Sequence, residues 1–412
     1  MGYQQGLSGL AGASTALDVI GNNIANANTV GFKASTAQFA DMYANSVATA
    51  THNQVGIGTN LSSVQQQFSQ GTIASTNSAL DVAINGNGFF QLSNDGALTY
   101  SRDGTFLRDK NGYLVNAQGL NLMGYATDAN GALDTSTTVP LQAPTANLAP
   151  SPTSSITAQL NLNSQDAVPA KPSFNPADAS TYNYSTSIQV YDSLGGAQQV
   201  NLYFAKRAAG TWQAYAGLAS RPPADLGTMT FDSSGAIAST RASSDGEPGA
   251  ASGAFAFTVP STTGAADQTL TLDLSGTTQY GGKNGINNLA QDGYASGTLT
   301  TYTIGTDGRL TGSYSNGQTS VLGQIALANF SNPNGLVHLG GNQYGASADS
   351  GVPQIAAPGT TNHGSLQGSA LENSNVDLTS QLVDLITAQR NYQANAQTIK
   401  TQQSVDQSII NI

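Results

Sequence analysis

The sequence predicts an α+β chain that is mainly β. We expect a helical coiled-coil domain drawn from both chain ends, with nested antiparallel β-sheet domains, barrel-like or sandwich-like, between them. Apolar residues recur at heptad spacing near both ends. Turn dipeptides such as Asn-Gly and Asp-Gly punctuate the middle. Of the 24 acidic residues only Glu247 and Glu372 are glutamates, a bias typical of turns and caps rather than helix faces.

Both chain ends carry a heptad stripe that predicts an amphipathic helix, and we expect the two helices to be partners. The N-terminal stripe contains Tyr3, Leu7, Leu10, Ser14, Leu17, Gly21, Ile24 and Asn28. The C-terminal stripe contains Leu378, Leu382, Leu385, Gln389, Tyr392, Ala396, Ile399, Gln403, Asp406 and Ile410. A rise of 1.5 Å per residue gives helices of about 40 and 50 Å. Because their opposite faces carry almost no charge, the pattern favours contacts with neighbouring copies or a wet passage over two ordinary surface helices.

The middle of the chain predicts antiparallel strands joined by turns. Apolar residues alternate over 185–191 and 197–204, on either side of a turn at 192–196, which predicts a hairpin. The segment 211–215 predicts the next strand. The block 221–264, rich in Ala, Ser, Gly and Thr, predicts exposed loops.

Two shifts in composition predict where the chain enters and leaves an inserted domain. Prolines cluster over 137–152, and Gly, Asn and Asp are abundant over 280–297. We therefore predict an inner helical domain from 1–28 with 372–412, a linker region of long extended or β segments over 29–74, a middle β domain from 75–146 with 292–371, and an inserted outer β domain over 147–291.

Composition narrows the class of protein. Charged residues make up 9% of the 412 residues, against about 25% in a typical soluble domain, so the surface must consist mostly of amide, hydroxyl and backbone groups. The net charge of −11 argues against nucleic acid or an anionic membrane as partner. The chain has no cysteine and no run of 18 apolar residues, and its first basic residue is Lys33. We expect no cleaved secretion signal, which leaves open a cytosolic protein and one exported without cleavage.

Motifs for chemistry are missing from the sequence. It contains no H-x-x-x-H spacing for a metal and no G-x-S-x-G nucleophile motif. Glycoside hydrolysis usually needs glutamate in a carboxylate pair, and two glutamates in the whole chain make that chemistry a poor fit. We therefore predict that the chain is not an enzyme and binds no cofactor or metal, which leaves packing and assembly as its function.

Two terminal motifs carry a resemblance to a known family. The segment Gly21–Lys33, GNNIANANTVGFK, resembles the N-terminal signature of the bacterial flagellar rod and hook family. Its matching residues are Asn22, Asn23, Asn26, Gly31, Phe32 and Lys33. The segment Ala388–Lys400, AQRNYQANAQTIK, is similar to the C-terminal signature, through Arg390, Asn391 and Tyr392. The segment Ser374–Leu378 also belongs to the C-terminal likeness. Segments Leu80–Phe90 and Tyr100–Phe106 resemble the first strands of the family's β domain, and Leu322–Phe330 resembles its return half.

The resemblance implies a structural subunit of the hook type, because the inserted domain exceeds what rod members carry. Such a subunit would polymerise into a curved, flexible tube that works as a universal joint, with the helices around the export channel and the insert outermost. The assembly residues expected on the inner helices are Leu7, Leu10, Leu17, Ile24, Leu378, Leu382, Leu385, Tyr392, Ala396 and Ile399.

The resemblance also implies partners and a location. The partners would be further copies of the chain, the hook cap, the distal rod, the hook-filament junction proteins and the flagellar type III export apparatus. The location would be the extracellular flagellum, reached without a cleaved signal peptide. Two alternatives stay open: a distal rod subunit, and a secreted β-rich adhesin that would not explain the terminal motifs.

Overall fold

A long helix lies at each end of the chain. The computed structural model describes residues 2–42, 56–128, 131–144, 146–219, 221–243, 253–260 and 264–410, so Glu247 lies outside the described residues. Helix α1 spans Gly2–Ala25 and helix α2 spans Leu378–Ile410. The Asp377 carboxylate caps α2 by accepting the backbone N–H groups of Thr379 and Ser380. No described helix is both long and apolar enough to cross a membrane.

Strands fill most of the chain between the helices, so the prediction of a mainly β chain with a helix at each end is confirmed. The first strands are β1 Ser35–Met42, β2 Gly58–Gln66, β3 Ile73–Ser75, β4 Val82–Asn85, β5 Phe89–Asn94, β6 Ala97–Ser101, β7 Leu107–Arg108, β8 Leu114–Val115, β9 Asn121–Ala126, β10 Val139–Pro140, β11 Ser155–Asn161, β12 Tyr184–Tyr191, β13 Ala197–Ala208 and β14 Thr211–Leu218. The remaining strands are β15 Ala224–Phe231, β16 Ile237–Ala242, β17 Ala254–Val259, β18 Gln268–Asp273, β19 Gly285–Gln291, β20 Leu299–Ile304, β21 Arg309–Tyr314, β22 Thr319–Ile325, β23 Leu327–Asn329, β24 Val337–Gly340, β25 Gln343–Gly345, β26 Gln354–Ala356, β27 Ser365–Gly368 and β28 Ala370–Glu372. Two 3₁₀ helices span Ala179–Thr181 and Pro333–Gly335.

The chain divides into two compact units. Unit 1 contains Met1–Thr145, Thr300–Ser313 and Thr319–Ile412, and unit 2 contains Ala146–Leu299 and Tyr314–Gln318. Unit 2 therefore interrupts unit 1 in sequence. The finer four-part division drawn from composition stays a prediction.

Two antiparallel-rich sheets build unit 2. Strands β12 to β16 form a five-stranded sheet in sequence order, and the second sheet has the order β17-β18-β11-β19. The predicted hairpin is confirmed, since Tyr191 pairs with Ala197 across a turn in which the Asp192 carboxylate accepts two backbone N–H groups. Apolar side chains from both sheets form one buried cluster that includes Trp212.

The prediction of loops over 221–264 is wrong. Strands β15, β16 and β17 lie in this block, and residues 244–252 and 261–263 lie outside the described residues. Large apolar side chains alternate with small ones there, and β17 buries Phe255, Phe257 and Val259. The abundance of small residues concealed this period of two, which is the signal of a half-buried strand.

Unit 1 holds the helices and a large open sheet. The main path of this sheet runs β20-β21-β22-β9-β5-β6-β25-β24. Strands β1 and β2 form a separate antiparallel ribbon, and two short pairs, β4 with β27 and β3 with β28, bring the two ends of the chain together. Leu92, Leu122 and Ile325 belong to the main buried cluster of this unit.

Candidate assembly site

The two helices pack against each other through small residues. A methyl group built on Gly9 would lie 2.6 Å from Asn395 Oδ1, and one built on Gly6 would lie 3.0 Å from Ile399 Cγ1. Ala13 and Ala388 are the buried alanines of α1 and α2. Small side chains let the two backbones approach closely, so the contact depends on close fit rather than on large apolar groups.

The predicted apolar stripes are only partly covered by this contact. On α1 the contact uses positions 6, 9 and 13, each one residue before a position of the predicted heptad. Leu7 is 52% exposed and Leu382 is 45% exposed. Leu378 and Tyr392 are also exposed, whereas Leu10, Leu17, Ile24, Leu385, Ala396 and Ile399 are partly buried. A single chain therefore leaves much of the two stripes uncovered.

Asn23 joins three elements at the end of α1. Its side-chain oxygen accepts the Ser35 N–H at 2.9 Å, and its side-chain nitrogen donates to Ser35 O at 2.8 Å and to Gln381 Oε1 at 3.0 Å. The residue is 1% exposed, so these bonds satisfy an amide that would be costly to bury alone. This motif residue fixes strand β1 and helix α2 to helix α1.

The other asparagines of the N-terminal motif shape the turn that ends α1. Asn26 Nδ2 donates to Asn22 O at 3.0 Å, and Thr29 Oγ1 donates to Asn26 Oδ1 at 3.1 Å. Phe32, which follows this turn, is 7% exposed. The motif as a whole therefore directs the chain from α1 into β1.

A buried ion triad lies between the two chain ends. Lys33 Nζ is 2.6 Å from Glu372 Oε1, and Arg102 Nη1 is 3.3 Å from Glu372 Oε2. The side chains of Lys33 and Glu372 are fully buried, and Arg102 is 3% exposed. Glu372 Oε1 also accepts the Gly71 N–H, and Lys33 donates to Ser69 O. One carboxylate thus holds four separated segments of unit 1 together.

Burial disfavours the charged form of both Lys33 and Arg102. Desolvation lowers the pKa of the Lys33 ammonium and of the Arg102 guanidinium, while the negative charge of Glu372 acts in the opposite direction on each. The Arg102 guanidinium also lies 5.3 Å from the centroid of the Phe89 ring. Glu372 therefore supplies the charge that makes two buried cations tolerable.

Sequence reasoning placed Arg102 and Asn375 in family-like segments without a role, and it missed Glu372 as a functional residue. Asn375 Oδ1 accepts the Ala34 N–H at 2.7 Å, and its amide nitrogen donates to Gln67 O at 2.7 Å. The available signal for Glu372 was its rarity, because the chain contains only two glutamates. The rarity of glutamate singles out Glu372, but it does not show that its partner Lys33 lies 339 positions away in the sequence.

We use the word junction for the region where the N-terminal motif, the ion triad and Asn375 meet. Gly31 gives a direct test of this junction, with Gly21 as its control. Gly31 has φ +68°, and a methyl group there would lie 2.6 Å from Asp103 N. We expect Gly31→Ala to destabilise unit 1 by about 2–4 kcal/mol through strain and overlap. Gly21 has no atom within 4 Å of that position, so Gly21→Ala should stabilise α1 by about 1 kcal/mol. Urea unfolding followed by circular dichroism measures both, and equal midpoints would contradict this account.

Alkaline pH should weaken unit 1 through Tyr344. Burial raises the pKa of its phenol from 10.0 to about 12, although the nearby Arg102 cation opposes the shift. The folded state then holds a proton that the unfolded state loses, so stability present below pH 10 falls as pH rises toward 12. Two pH units correspond to about 2.7 kcal/mol. Unfolding of the chain and of Tyr344→Phe between pH 9 and 12 tests this, and parallel pH profiles would contradict it.

The C-terminal motif residues lie on α2 at its surface. Arg390, Asn391 and Tyr392 are exposed, and Asn391 O accepts a bond from Asn395 Nδ2 at 2.9 Å. Within the described part of the chain, no group of three or more histidine or acidic residues is placed to hold a metal ion. The candidate assembly site consists of the junction, held by its buried ion triad, and of two helices whose apolar stripes are partly exposed.

Family models match both ends and the middle of the chain. Residues 4–33 match the flagella basal body rod protein family, and 83–165 match the flagellar hook protein FlgE/F/G D1 domain. Residues 161–294 match the flagellar basal body protein FlaE D2 domain, and 367–412 match the C-terminal region of the flagellar basal body rod FlgEFG proteins. The terminal matches coincide with the two helices and the junction.

Individual relatives extend the likeness to full length. The chain is 42% identical over 423 residues to the flagellar hook protein FlgE of Salmonella typhimurium, with both chains fully covered. It is 32% identical to the flagellar hook protein FlgE of Borreliella burgdorferi, over 99% of this chain and 98% of that protein. The crystal structure of Helicobacter pylori flagellar hook protein FlgE2 shares the fold, with a TM-score of 0.50 and 16% identity over 73% of this chain and 99% of that one. The chain therefore belongs to the flagellar hook protein family, whose members are structural proteins of the bacterial flagellum and not enzymes.

Proposed function

We propose that this chain polymerises with itself into the curved, flexible tube of the flagellar hook. The tube acts as a universal joint that passes motor torque to the filament and surrounds the export channel. The observation that carries the proposal is the set of large apolar side chains that one chain leaves exposed on its helices. These are Tyr3, Leu7, Leu378, Leu382, Val383, Ile386, Tyr392, Val405, Ile409 and Ile410. Exposed apolar surface on this scale marks an interaction site.

The assembly residues predicted from the heptads belong to this proposal. Leu7, Leu10, Leu17 and Ile24 of α1 and the C-terminal stripe of α2 pack against neighbouring chains, and together they form the inner coiled coil of the tube. The stripe residues of α2 in this role are Leu378, Leu382, Leu385, Tyr392, Ala396 and Ile399. Burial of these side chains holds the lattice together, since each large apolar side chain contributes about 1.5–3 kcal/mol when buried.

The inserted segment 147–291 has a different role in the proposal. A tube that bends as it rotates must lengthen and shorten every strand of subunits once per turn, so its outer contacts must slide. A chain with 9% charged residues supplies many weak amide and hydroxyl contacts of similar strength and few ion pairs of fixed register. We assign the inner layer to 1–28 with 372–412, and the middle layer to 75–146 with 292–371.

If the chain is the hook subunit, its position between the rod and the filament determines its other partners. The chain meets the distal rod at one end of the tube and the hook-filament junction proteins at the other, and the hook cap guides its addition. The flagellar type III export apparatus delivers it to the outside. Likeness to hook proteins over the full length favours this position over the distal rod.

Complementation tests the proposed function. The full chain is expressed in a bacterial strain whose own hook subunit gene has been deleted, and purified basal bodies are imaged by electron microscopy. We expect curved hooks on complete rods, and a strain lacking its distal rod subunit should not be rescued. Rescue of the rod strain alone would assign the chain to the rod, and an absence of any assembly would reject both positions.

Deletion of residues 147–291 tests the role of the insert. We expect a tube still to assemble, because the helices and the sheet of unit 1 keep their residues, but the tube should be straight or altered in curvature and swimming should be impaired. Melting and circular dichroism of the purified variant check its fold. Native curvature would reject the sliding role, whereas an unfolded monomer would reject the nested plan.

A further inference from the structure

A groove runs between α1, α2 and the β1–β2 ribbon. Its volume is about 800 Å³, and its floor contains Gly9, Gly12 and Ala16 from α1 and Ala388 from α2. Asn395 fills the space beside Gly9 and Phe39 that beside Gly12, and the volume that remains open has room for large side chains from another molecule. Asp384 also lines the groove and is an acidic residue on its α2 wall.

Charge is segregated between the two sides of α2. Residues are about 100° apart around an α-helix, which places Asp384 and Asp406 on the side that faces α1 and both basic residues, Arg390 and Lys400, on the opposite side. Each of these four residues is exposed. Among the described residues, the salt bridges of the chain involve none of them.

The basic side of α2 also carries an apolar ridge. Leu382, Ile386 and Arg390 are four residues apart, so they lie in one line along the helix. Ile386 is 51% exposed, and Val383 beside it is 60% exposed. The ridge therefore combines large apolar side chains with a positive charge. The groove combines small residues with Ile20, Phe39 and the negative charge of Asp384.

We propose that the α2 ridge of one chain docks in the groove of a second copy, with Arg390 of one chain paired to Asp384 of the other. This inference rests on the proposed function and names the register of its inner contacts. The ridge and the groove lie on opposite sides of α2, so the contact is heterologous. Such a contact leaves a free groove and a free ridge at the two ends of every assembly, and it propagates as a ring or an open helix.

The fit favours a second copy over other occupants. The ridge is convex and apolar and the groove is open, with Ile20 and Phe39 in its lining, and the two surfaces carry opposite charges. Both are present on every chain, which a self-assembling surface requires. The ion pair adds direction to an otherwise apolar contact, because a slipped register would leave Asp384 against Leu382 or Ile386.

Two charge reversals, alone and mixed, test the contact in the complemented strain. Asp384→Arg places two cations at the contact, and Arg390→Asp places two anions there, so each alone should reduce the number of hooks per cell by on the order of tenfold. Co-expression of the two variants restores an opposite pair at every contact when copies alternate, and we expect hooks to return. Lys110→Asp, in an exposed turn of unit 1, is the matched charge reversal outside the contact and should assemble normally.

The outcomes separate this inference from the proposed function. If the unmodified chain builds no hooks, the proposed function fails. If the unmodified chain builds hooks but either reversal assembles normally, or the mixture does not recover, the docking of ridge in groove is wrong. Melting of each purified variant shows whether its monomer keeps its fold, and a recovered mixture proves that the pair joins different chains.

Discussion

Replacement of Glu372 with glutamine should destabilise unit 1 by about 3–5 kcal/mol, because it leaves Lys33 and Arg102 buried without a counter-charge. Trp212, the only tryptophan, lies in the core of unit 2, so its fluorescence follows that unit alone. Circular dichroism at the helix wavelength follows α1 and α2 in unit 1. We expect the dichroism midpoint in urea to fall while the fluorescence midpoint stays in place.

An exposed ion pair supplies the matched control for Glu372. Arg309 Nε lies 3.2 Å from Asp307 Oδ2, and both side chains are about half exposed. Asp307→Asn should cost less than about 1 kcal/mol, since exposed pairs contribute little. If Glu372→Gln and Asp307→Asn shift the midpoint by similar amounts, the triad does not hold the two chain ends as described.

Replacement of Leu382 with aspartate should abolish assembly and leave the monomer folded. Leu382 is 45% exposed in the single chain, so a carboxylate there costs the monomer little. In a polymer the same carboxylate would be buried at every subunit contact without a partner, at a cost of several kcal/mol each time. Hook counts in the complemented strain measure assembly, and melting of the purified chain measures the fold.

A second leucine of similar exposure provides the control. Leu107 in β7 is 58% exposed and lies away from the helices in sequence and in strand pairing. Leu107→Asp should assemble normally under the same conditions. Normal hooks from Leu382→Asp would show that the helical stripe faces solvent in the polymer.

Local patterns in the sequence predicted the elements that depend on residues close together in the chain. The hairpin of β12 and β13 shows a period of two on both sides of an Asp-Gly-rich turn, and the structure has the same register. The long helix α2 shows its stripe over more than four heptads. In both cases the residues that determine the element are close neighbours in the chain.

The remaining features depend on partners that the sequence does not bring together. Glu372 and Lys33 are separated by 339 positions, so no local pattern pairs them. On α1 the contact with α2 uses glycine and alanine, whereas the apolar pattern selects Leu7 and Leu10, each one position after a contact glycine. The heptad pattern of large apolar residues therefore identifies the exposed stripes more readily than the contact between α1 and α2.

The pairing of β3 with β28 and of β4 with β27 has a consequence for the order of folding. Ile73 pairs with Glu372, and Val82 pairs with Gly368, so closing these contacts requires loops of nearly 300 residues. The five-stranded sheet of unit 2 needs only hairpins between consecutive strands. Short loops close faster than long ones, so this sheet forms early. Strands β3 and β4 therefore cannot pair with β28 and β27 until almost the entire chain has been synthesised.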